Sequence, residues 1–338
     1  MTPGLHNCIT DIAGLRVGHA DDAHLASGVT AVLVAQPNVA SVVVRGGAPG
    51  GRDTGLLEPD MTVQGVDAVV LSGGSAFGLD AAGGVMARLR EAGIGLAVGP
   101  TIVPIVVQAI TFDLLNGGDK AWGRKPPYWE LGWQAACAAA ESLSGPVALG
   151  TVGGGFGATT ATLKGGVGTA STATQSGARV GAIVVVNAIG SATIARGPHF
   201  WAGALEHDRE FGGHGWPSAL PEGALRLHMK GGQPPSTTIA MVATDATLTK
   251  AEAKRLAQMA DDGMARALRP AHAPMDGDTV FAVATQHGPA PQGPAGLTEL
   301  GQAAADCLAR AIARGVYAAT ALPFAGAVPA WADLYAQR

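Results

Sequence analysis

Aromatic side chains are scarce in this 338-residue chain, where Phe, Trp and Tyr together make up 5%. A core of this size must then be packed from Ala, Val, Leu and Ile. Charge is thin as well, at 14% Asp, Glu, Lys and Arg, which excludes a long disordered polyelectrolyte. A net charge of −4 and a pI near 6.1 leave no basic field to hold nucleic acid or anionic lipid. The three cysteines, Cys8, Cys137 and Cys307, are odd in number, far apart and without metal-ligand spacing. That excludes a disulfide framework and suits a reducing, cytoplasmic setting. Every apolar stretch is broken by Gly or a polar residue short of the ~18 residues a spanning helix needs, so no membrane segment is expected. The opening residues carry neither a basic region nor an apolar one, so no secretory leader is expected.

Glycine is what the chain has in abundance. Its 50 copies are about twice the usual share, clustered between apolar runs without a collagen period. Close backbone approaches are the expected consequence. Short Val-rich runs at Gly28 to Val34, Val42 to Val44 and Ala68 to Leu71 read as buried strands, as do Val147 to Val152 and Ala182 to Val186. The pattern through Val85, Met86 and Leu89 reads as a helix stopping near Gly93, and Trp129 to Leu143 as an Ala-rich helix. From His207 to Pro235, repeated Gly and Pro predict an exposed connector. It runs into the β-favouring segment from Ser236 to Thr244. Thr249 and Glu252 then have the spacing of a capping box, opening a helix that carries Leu256, Met259, Ala260, Met264 and Ala267 on one face and ends at Pro270. A strand from Val280 to Thr285 and a helix from about Thr298 to Ala318 complete the series. Strands and helices mixed throughout predict an α/β or α+β layered fold in a single domain, 1–338.

Familiar site patterns are missing: there is no Gly-x-Ser-x-Gly elbow, P-loop or His-Glu-x-x-His. Gly153 to Gly157 is Gly-rich but lacks the spacing and downstream acid of a dinucleotide fingerprint. The nine histidines are scattered and read as surface or hydrogen-bonded residues. The informative place is the Ser236/Thr237 junction, where a Gly/Pro connector meets a buried strand. If the backbone were cut there, the new α-amine of Thr237, with a pKa near about 7.7–8.0, could accept the proton of its own hydroxyl. The same hydroxyl could make the cut by attacking the preceding carbonyl. On position alone, Thr opening a strand more often reflects β propensity, and Ser236 offers a rival hydroxyl.

Several stretches taken together resemble the L-aminopeptidase/D-esterase family, which includes β-peptidyl aminopeptidases and nylon-oligomer hydrolases. They are Ile9 to His19, Val44 to Gly50, Leu71 to Leu79, Leu163 to Gly166, Thr237 to Asp245 and Asp276-Gly277-Asp278-Thr279, covering nearly the whole chain in order. The resemblance implies a four-layer αββα sandwich shared with ornithine acetyltransferase. It also implies self-cleavage into a large chain, 1–236, and a small chain, 237–338, which stay associated and assemble as a homotetramer of such units or a larger form. The implied activity is hydrolysis of amide bonds in small peptides, β-peptides, amino-acid amides or oligoamides, with no cofactor and no metal.

Carried over residue by residue, Thr237 matches the nucleophile and Asn187 an oxyanion-stabilising Asn. Asp276 and Asp278 match a carboxylate pair beside the nucleophile. Backbone N–H groups around Gly73 and Gly74 are further expected oxyanion donors. On the residues alone, Asn187 reads as a strand-end turn and Asp276 to Asp278 as an Asp-Gly turn. The chain departs from the family at Phe112, where a Tyr is usual, at Thr162, where a Lys is usual, and at Ser236, where Asn or Gly is usual. Lys164 is then the nearby ammonium among the candidates, and Phe112 a pocket residue. Phe156, Trp122 and Trp129 predict an apolar pocket, with Arg45, Arg52 and Lys164 as candidates for a peptide terminus. Two other readings stay open: acyl transfer to an amine, and an unprocessed, non-catalytic binding protein.

Overall fold

Two β-sheets face each other across the middle of the molecule, and each carries helices on its outer side. The computed structural model describes residues 2–142, 145–231 and 235–336. Its strands are β1 (Leu15–Asp22), β2 (Ser27–Val34), β3 (Val39–Val44), β4 (Gly51–Arg52), β5 (Ala68–Ser72), β6 (Leu96–Val98), β7 (Thr101–Val103), β8 (Val106–Ile110), β9 (Gly166–Ala173), β10 (Arg179–Asn187), β11 (Thr237–Thr244) and β12 (Thr279–Ala284). The helices are α1 (Ser75–Gly78), α2 (Ala81–Glu91), α3 (Tyr128–Glu141), α4 (Lys250–Ala260), α5 (Asp262–Ala267), α6 (Gly293–Tyr317) and α7 (Trp331–Tyr335). One sheet has the order β1-β2-β5-β8-β4 and the other β3-β12-β11-β10-β9, while β6 and β7 pair as a separate ribbon.

Three apolar clusters separate the layers. Val29, Ala31 and Val70 of the first sheet pack on Ala82 and Val85 of α2 and Ala135 of α3. Val32, Val69 and Leu71 meet Ile183, Ile239 and Met241 between the sheets. Val184, Ala240 and Val242 meet Leu256 of α4 and Leu308 and Ile312 of α6 on the far side. The result is the αββα sandwich that the resemblance implies.

Small residues make this tight stacking possible. A Cβ placed on Gly168 of β9 would lie 1.8 Å from the Ala311 carbonyl oxygen of α6, and one on Gly132 of α3 would lie 2.1 Å from that of Ala81 in α2. Neither helix could sit so close against a larger side chain. The capping box forms as expected: Thr249 Oγ1 accepts from the Glu252 N–H, and the Glu252 carboxylate accepts from the Thr249 N–H.

Four expectations need correction. Val147 to Val152 is not a strand; Gly150 has φ +79° and makes only an isolated bridge to Val167 before a 3-10 turn at Gly153–Gly155. The helix ending at Pro270 is two helices, α4 and α5, broken at Asp261. The last helix starts earlier than Thr298, at Gly293. Within the connector, Phe211, Ala224 and Lys230 are buried, so the described part is not simply exposed; residues 232–234 lie outside the described residues, as does Leu143 at the expected end of α3.

Candidate active site

The ladder of the second sheet positions the site. β10 and β11 pair antiparallel with Asn187 opposite Thr237, at the end of both strands. Side chains alternate faces along a strand, and Ile183 and Val185 of β10, like Ile239 and Met241 of β11, point between the sheets. Asn187 and Thr237 continue those rows. Both are therefore held on the same inner face, 0% and 3% exposed.

The bond before Thr237 is held from two sides. The Thr237 hydroxyl donates to the Ser236 carbonyl oxygen at 2.5 Å, and the Gly277 N–H donates to the same oxygen at 3.0 Å. Ser236 is fully buried and forms a parallel bridge with Asp276. Gly277 is a residue that motif matching alone passed over between its two acids. A Cβ there would lie 2.9 Å from Thr237 Oγ1 and 2.9 Å from the Ala48 carbonyl oxygen, so the N–H can approach only because the residue is Gly. The Val44 to Gly50 stretch carries this loop: the Arg45 N–H donates to the Asp278 carbonyl and the Ala48 N–H to that of Asp276. Gly46 lies so close that a Cβ would meet the Asp276 carbonyl oxygen at 2.3 Å.

The two acids of the loop have different tasks. Asp278 accepts from the Thr238 N–H at 2.7 Å through one oxygen, and from the main-chain N–H and Nδ1 of His272, both at 2.9 Å, through the other. Burial opposes the charge on His272, but the Asp278 hydrogen bond and the nearby Asp261 outweigh it and raise its pKa. Asp278 thus fixes the start of β11. Asp276 accepts from the Ala273 N–H at 2.9 Å, while its Oδ1 is buried with no partner among the described residues. Burial, reinforced by the neighbouring Asp278 charge, pushes its carboxyl up to about 7.

Asn187 Oδ1 accepts from the Thr159 N–H at 3.0 Å and from Lys230 Nζ at 3.0 Å, and its Nδ2 donates to the Phe112 carbonyl at 2.9 Å. Phe112 therefore takes part through its backbone, with its ring half-buried. Lys230 was missed in the sequence because it sits inside the Gly/Pro connector. It is the ammonium beside Asn187, and burial lowers its pKa to about 7.

Other expected residues lie elsewhere. Lys164 Nζ donates to the carbonyls of Gly155, Ala158 and Gly165 at 2.8–2.9 Å, so its donors are occupied away from Thr237. The Gly73 N–H donates to the Gly28 carbonyl and the Gly74 N–H to buried Asp113. That corrects their expected role: neither N–H is free to meet an oxyanion. Trp122 stacks edge-on with Phe77 and Tyr128 rather than joining the Thr237 cluster. A cavity of about 280 Å3, lined by Leu115, Asn116, Thr159, Lys164, Phe324 and Val328, adjoins the Thr159–Asn187 contact. Among the described residues, no group of three or more His, Cys, Asp or Glu could hold a metal ion, and no helix is long and apolar enough to cross a membrane.

Comparison with known proteins identifies the family and the fold. An uncharacterized aminopeptidase of Mycobacterium tuberculosis is 45% identical over 97% of this chain and 98% of its own length. A Burkholderia β-aminopeptidase structure superposes with a TM-score of 0.72 at 25% identity, covering 98% of this chain and 92% of that one. The L-aminopeptidase D-Ala-esterase/amidase of Ochrobactrum anthropi, described as a variant of the Ntn hydrolase fold, shares the fold with a TM-score of 0.66 at 24% identity, covering 97% and 92%. Residues 7–327 match the family described as Peptidase family S58, and the chain belongs to that family.

Proposed function

We propose that this protein is a self-processing amidohydrolase of the N-terminal-nucleophile class, with Thr237 as nucleophile. The observation that carries this reading is the double hold on the Ser236 carbonyl, by the Thr237 hydroxyl at 2.5 Å and the Gly277 N–H at 3.0 Å. In the uncut chain, Oγ1 attacks the Ser236 carbonyl carbon. Gly277 N–H stabilises the negative oxygen, the hydroxyl proton passes to the Thr237 nitrogen, and collapse breaks the C–N bond to give an ester on Thr237 Oγ1. Water hydrolyses the ester, leaving a carboxylate on Ser236 and a free α-amine on Thr237.

That amine then acts as general base for its own hydroxyl. The hydroxyl attacks the carbonyl of an incoming amide, the amine product leaves, and water releases the acyl group. Once Ser236 has departed, the Gly277 N–H is available to the substrate oxygen, joined by Asn187 Nδ2 from the opposite strand. Donors of this kind contribute about 3–4 kcal/mol each in other hydrolases. The cavity behind Thr159 offers room for a substrate side chain. The names of the relatives support peptides, β-peptides or oligoamides as the substrate class.

The cut would not release the small chain, since β11 runs between β10 and β12 in the middle of its sheet. Assembly of four such units and action in the reducing cytoplasm, which suits three free thiols, belong to the same proposal. Intact-mass analysis tests it: the wild type should give a fragment beginning at Thr237, and Thr237→Ala a single uncut, inactive chain. A Thr237→Ala protein with unimpaired turnover would refute the assignment. Product analysis with and without added amines separates hydrolysis from acyl transfer, and light scattering reads the assembly.

A further inference from the structure

Lys230 lies a short way upstream of the Ser236–Thr237 bond, and both its main chain and its side chain are anchored beside the site. Its N–H donates to the Ile189 carbonyl at 3.0 Å. Its Nζ donates to Asn187 Oδ1 at 3.0 Å and to the Asn187 carbonyl at 3.3 Å. The residue is 8% exposed.

These contacts determine which way the Asn187 carboxamide points. An ammonium and a backbone N–H can only donate, so the amide atom facing Lys230 and Thr159 must be oxygen. A backbone carbonyl can only accept, so the atom facing Phe112 must be nitrogen. That uses one Nδ2 hydrogen. The other has no acceptor among the described residues, and Asn187 stands opposite Thr237 in the ladder. The Lys230 ammonium, donating to Oδ1, also polarises the amide and makes its N–H groups stronger donors.

We propose that Lys230 is a positioning residue for the reaction at Thr237, its ammonium locking the Asn187 carboxamide with Nδ2 toward the carbonyl under attack. This rests on the proposed function above and adds a residue to it. Burial disfavours the charge on Lys230, and Asp276 and Asp113, where they are ionised, offset part of that cost. The same anchor holds the end of the large chain after the cut, so the geometry serves both self-cleavage and substrate turnover.

The test uses the full-length chain with Lys230→Met, Lys230→Arg and Lys230→Cys, the last before and after alkylation with bromoethylamine, which rebuilds an ammonium of nearly lysine length. Alkylated wild type controls for Cys137. Self-cleavage is followed by intact mass, and kcat and KM on amino-acid anilides are measured on whatever fraction has been cut. Folding is checked by circular dichroism. Lys230→Met should cleave about 100-fold more slowly, the scale of a misaligned reacting geometry. Its cut fraction should lose kcat with little change in KM, and aminoethylation of Lys230→Cys should restore most of the rate. Should Lys230→Met fail to fold, the comparison of Lys230→Cys before and after alkylation decides the matter alone. Cleavage and kcat indistinguishable from wild type, or a loss that the restored ammonium does not repair, would overturn the role of Lys230. Those outcomes leave the nucleophile reading intact, because that reading fails only if Thr237→Ala is still cut or active.

Discussion

Asn187 and Thr237 are directly opposed across the β10–β11 ladder, with their side chains on the face between the two sheets. Their separation is therefore set by backbone hydrogen bonding, not by a flexible loop. On the proposed reading, a nucleophile and an oxyanion donor placed this way need no rearrangement when charge develops, which is where preorganised donors act. β11 is buried along its whole length and β10 from Val180 to Asn187, so the geometry is as rigid as the core.

Replacing Asn187 with Ala removes the donor and also strands the Thr159 N–H and Lys230 ammonium that its Oδ1 accepts from. Turnover of the cut enzyme should fall by about 100- to 1,000-fold, and stability by about 1–3 kcal/mol. Asn187→Asp separates the two effects. A carboxylate keeps both acceptor contacts and loses the hydrogen bond to the Phe112 carbonyl, so the melting temperature should fall less than in Asn187→Ala. It presents oxygen to the developing oxyanion, so kcat should fall at least as far as in Asn187→Ala.

Gly277→Ala tests the other donor. The added methyl would sit 2.9 Å from Thr237 Oγ1 and 2.9 Å from the Ala48 carbonyl, so either the loop retreats or the hydroxyl is displaced. Both outcomes weaken the grip on the Ser236 carbonyl. Self-cleavage measured by gel should slow about 100-fold or more, while circular dichroism still reports a folded chain.

Legibility of the sequence followed the range of the interactions. β11, β12 and the α4 cap were readable because a continuous β-favouring apolar run and Thr249–Glu252 capping are local patterns. β9 escaped notice: Gly166 to Ala173 is built of Gly, Ser, Thr, Ala and Val, small residues selected by the approach of α6 rather than by β propensity. Val147 to Val152 looked like a strand by composition, but the positive φ of Gly150 turns the chain away. Thr237, Asn187, Asp276 and Asp278 were reached through motif matching, and the structure brings them into one cluster. Lys230 was not, because its partner Asn187 lies 43 residues away in sequence and nothing in a Gly/Pro connector announces a buried ammonium. Gly277 was hidden by its neighbours' charges, since its contribution is a backbone N–H.

Lys164 separates a structural ammonium from a functional one. Its three donors satisfy the carbonyls of Gly155, Ala158 and Gly165. Lys164→Met should leave those buried acceptors unpaired, at about 1–3 kcal/mol for each group left so. The melting temperature should drop clearly, while kcat per folded, cut molecule stays near wild type. A selective collapse of kcat at unchanged stability would instead put Lys164 into the chemistry.

Asp276 should leave a signature in the pH dependence of stability. Burial, with the Asp278 charge beside it, raises its carboxyl from 3.8 to about 7, so the folded chain keeps this proton up to near-neutral pH. The unfolded chain releases it near 3.8. Between those values the folded state binds the extra proton, so stability from this group is fully present below about pH 4 and lost as pH rises through about 7. Lys230 works in the opposite sense at higher pH: burial lowers it from 10.5 to about 7, so its contribution rises with pH above neutrality. The informative window is therefore pH 4 to 7. Asp276→Asn mimics the protonated carboxyl permanently and should remove this slope. Urea midpoints for the variant and its parent, both carrying Thr237→Ala so that neither is cut, should agree near pH 4 and diverge toward pH 7, with the Asn form the more stable. Parallel curves across the window would mean that Asp276 titrates as an ordinary carboxylate and that its buried Oδ1 carries no proton in the uncut chain.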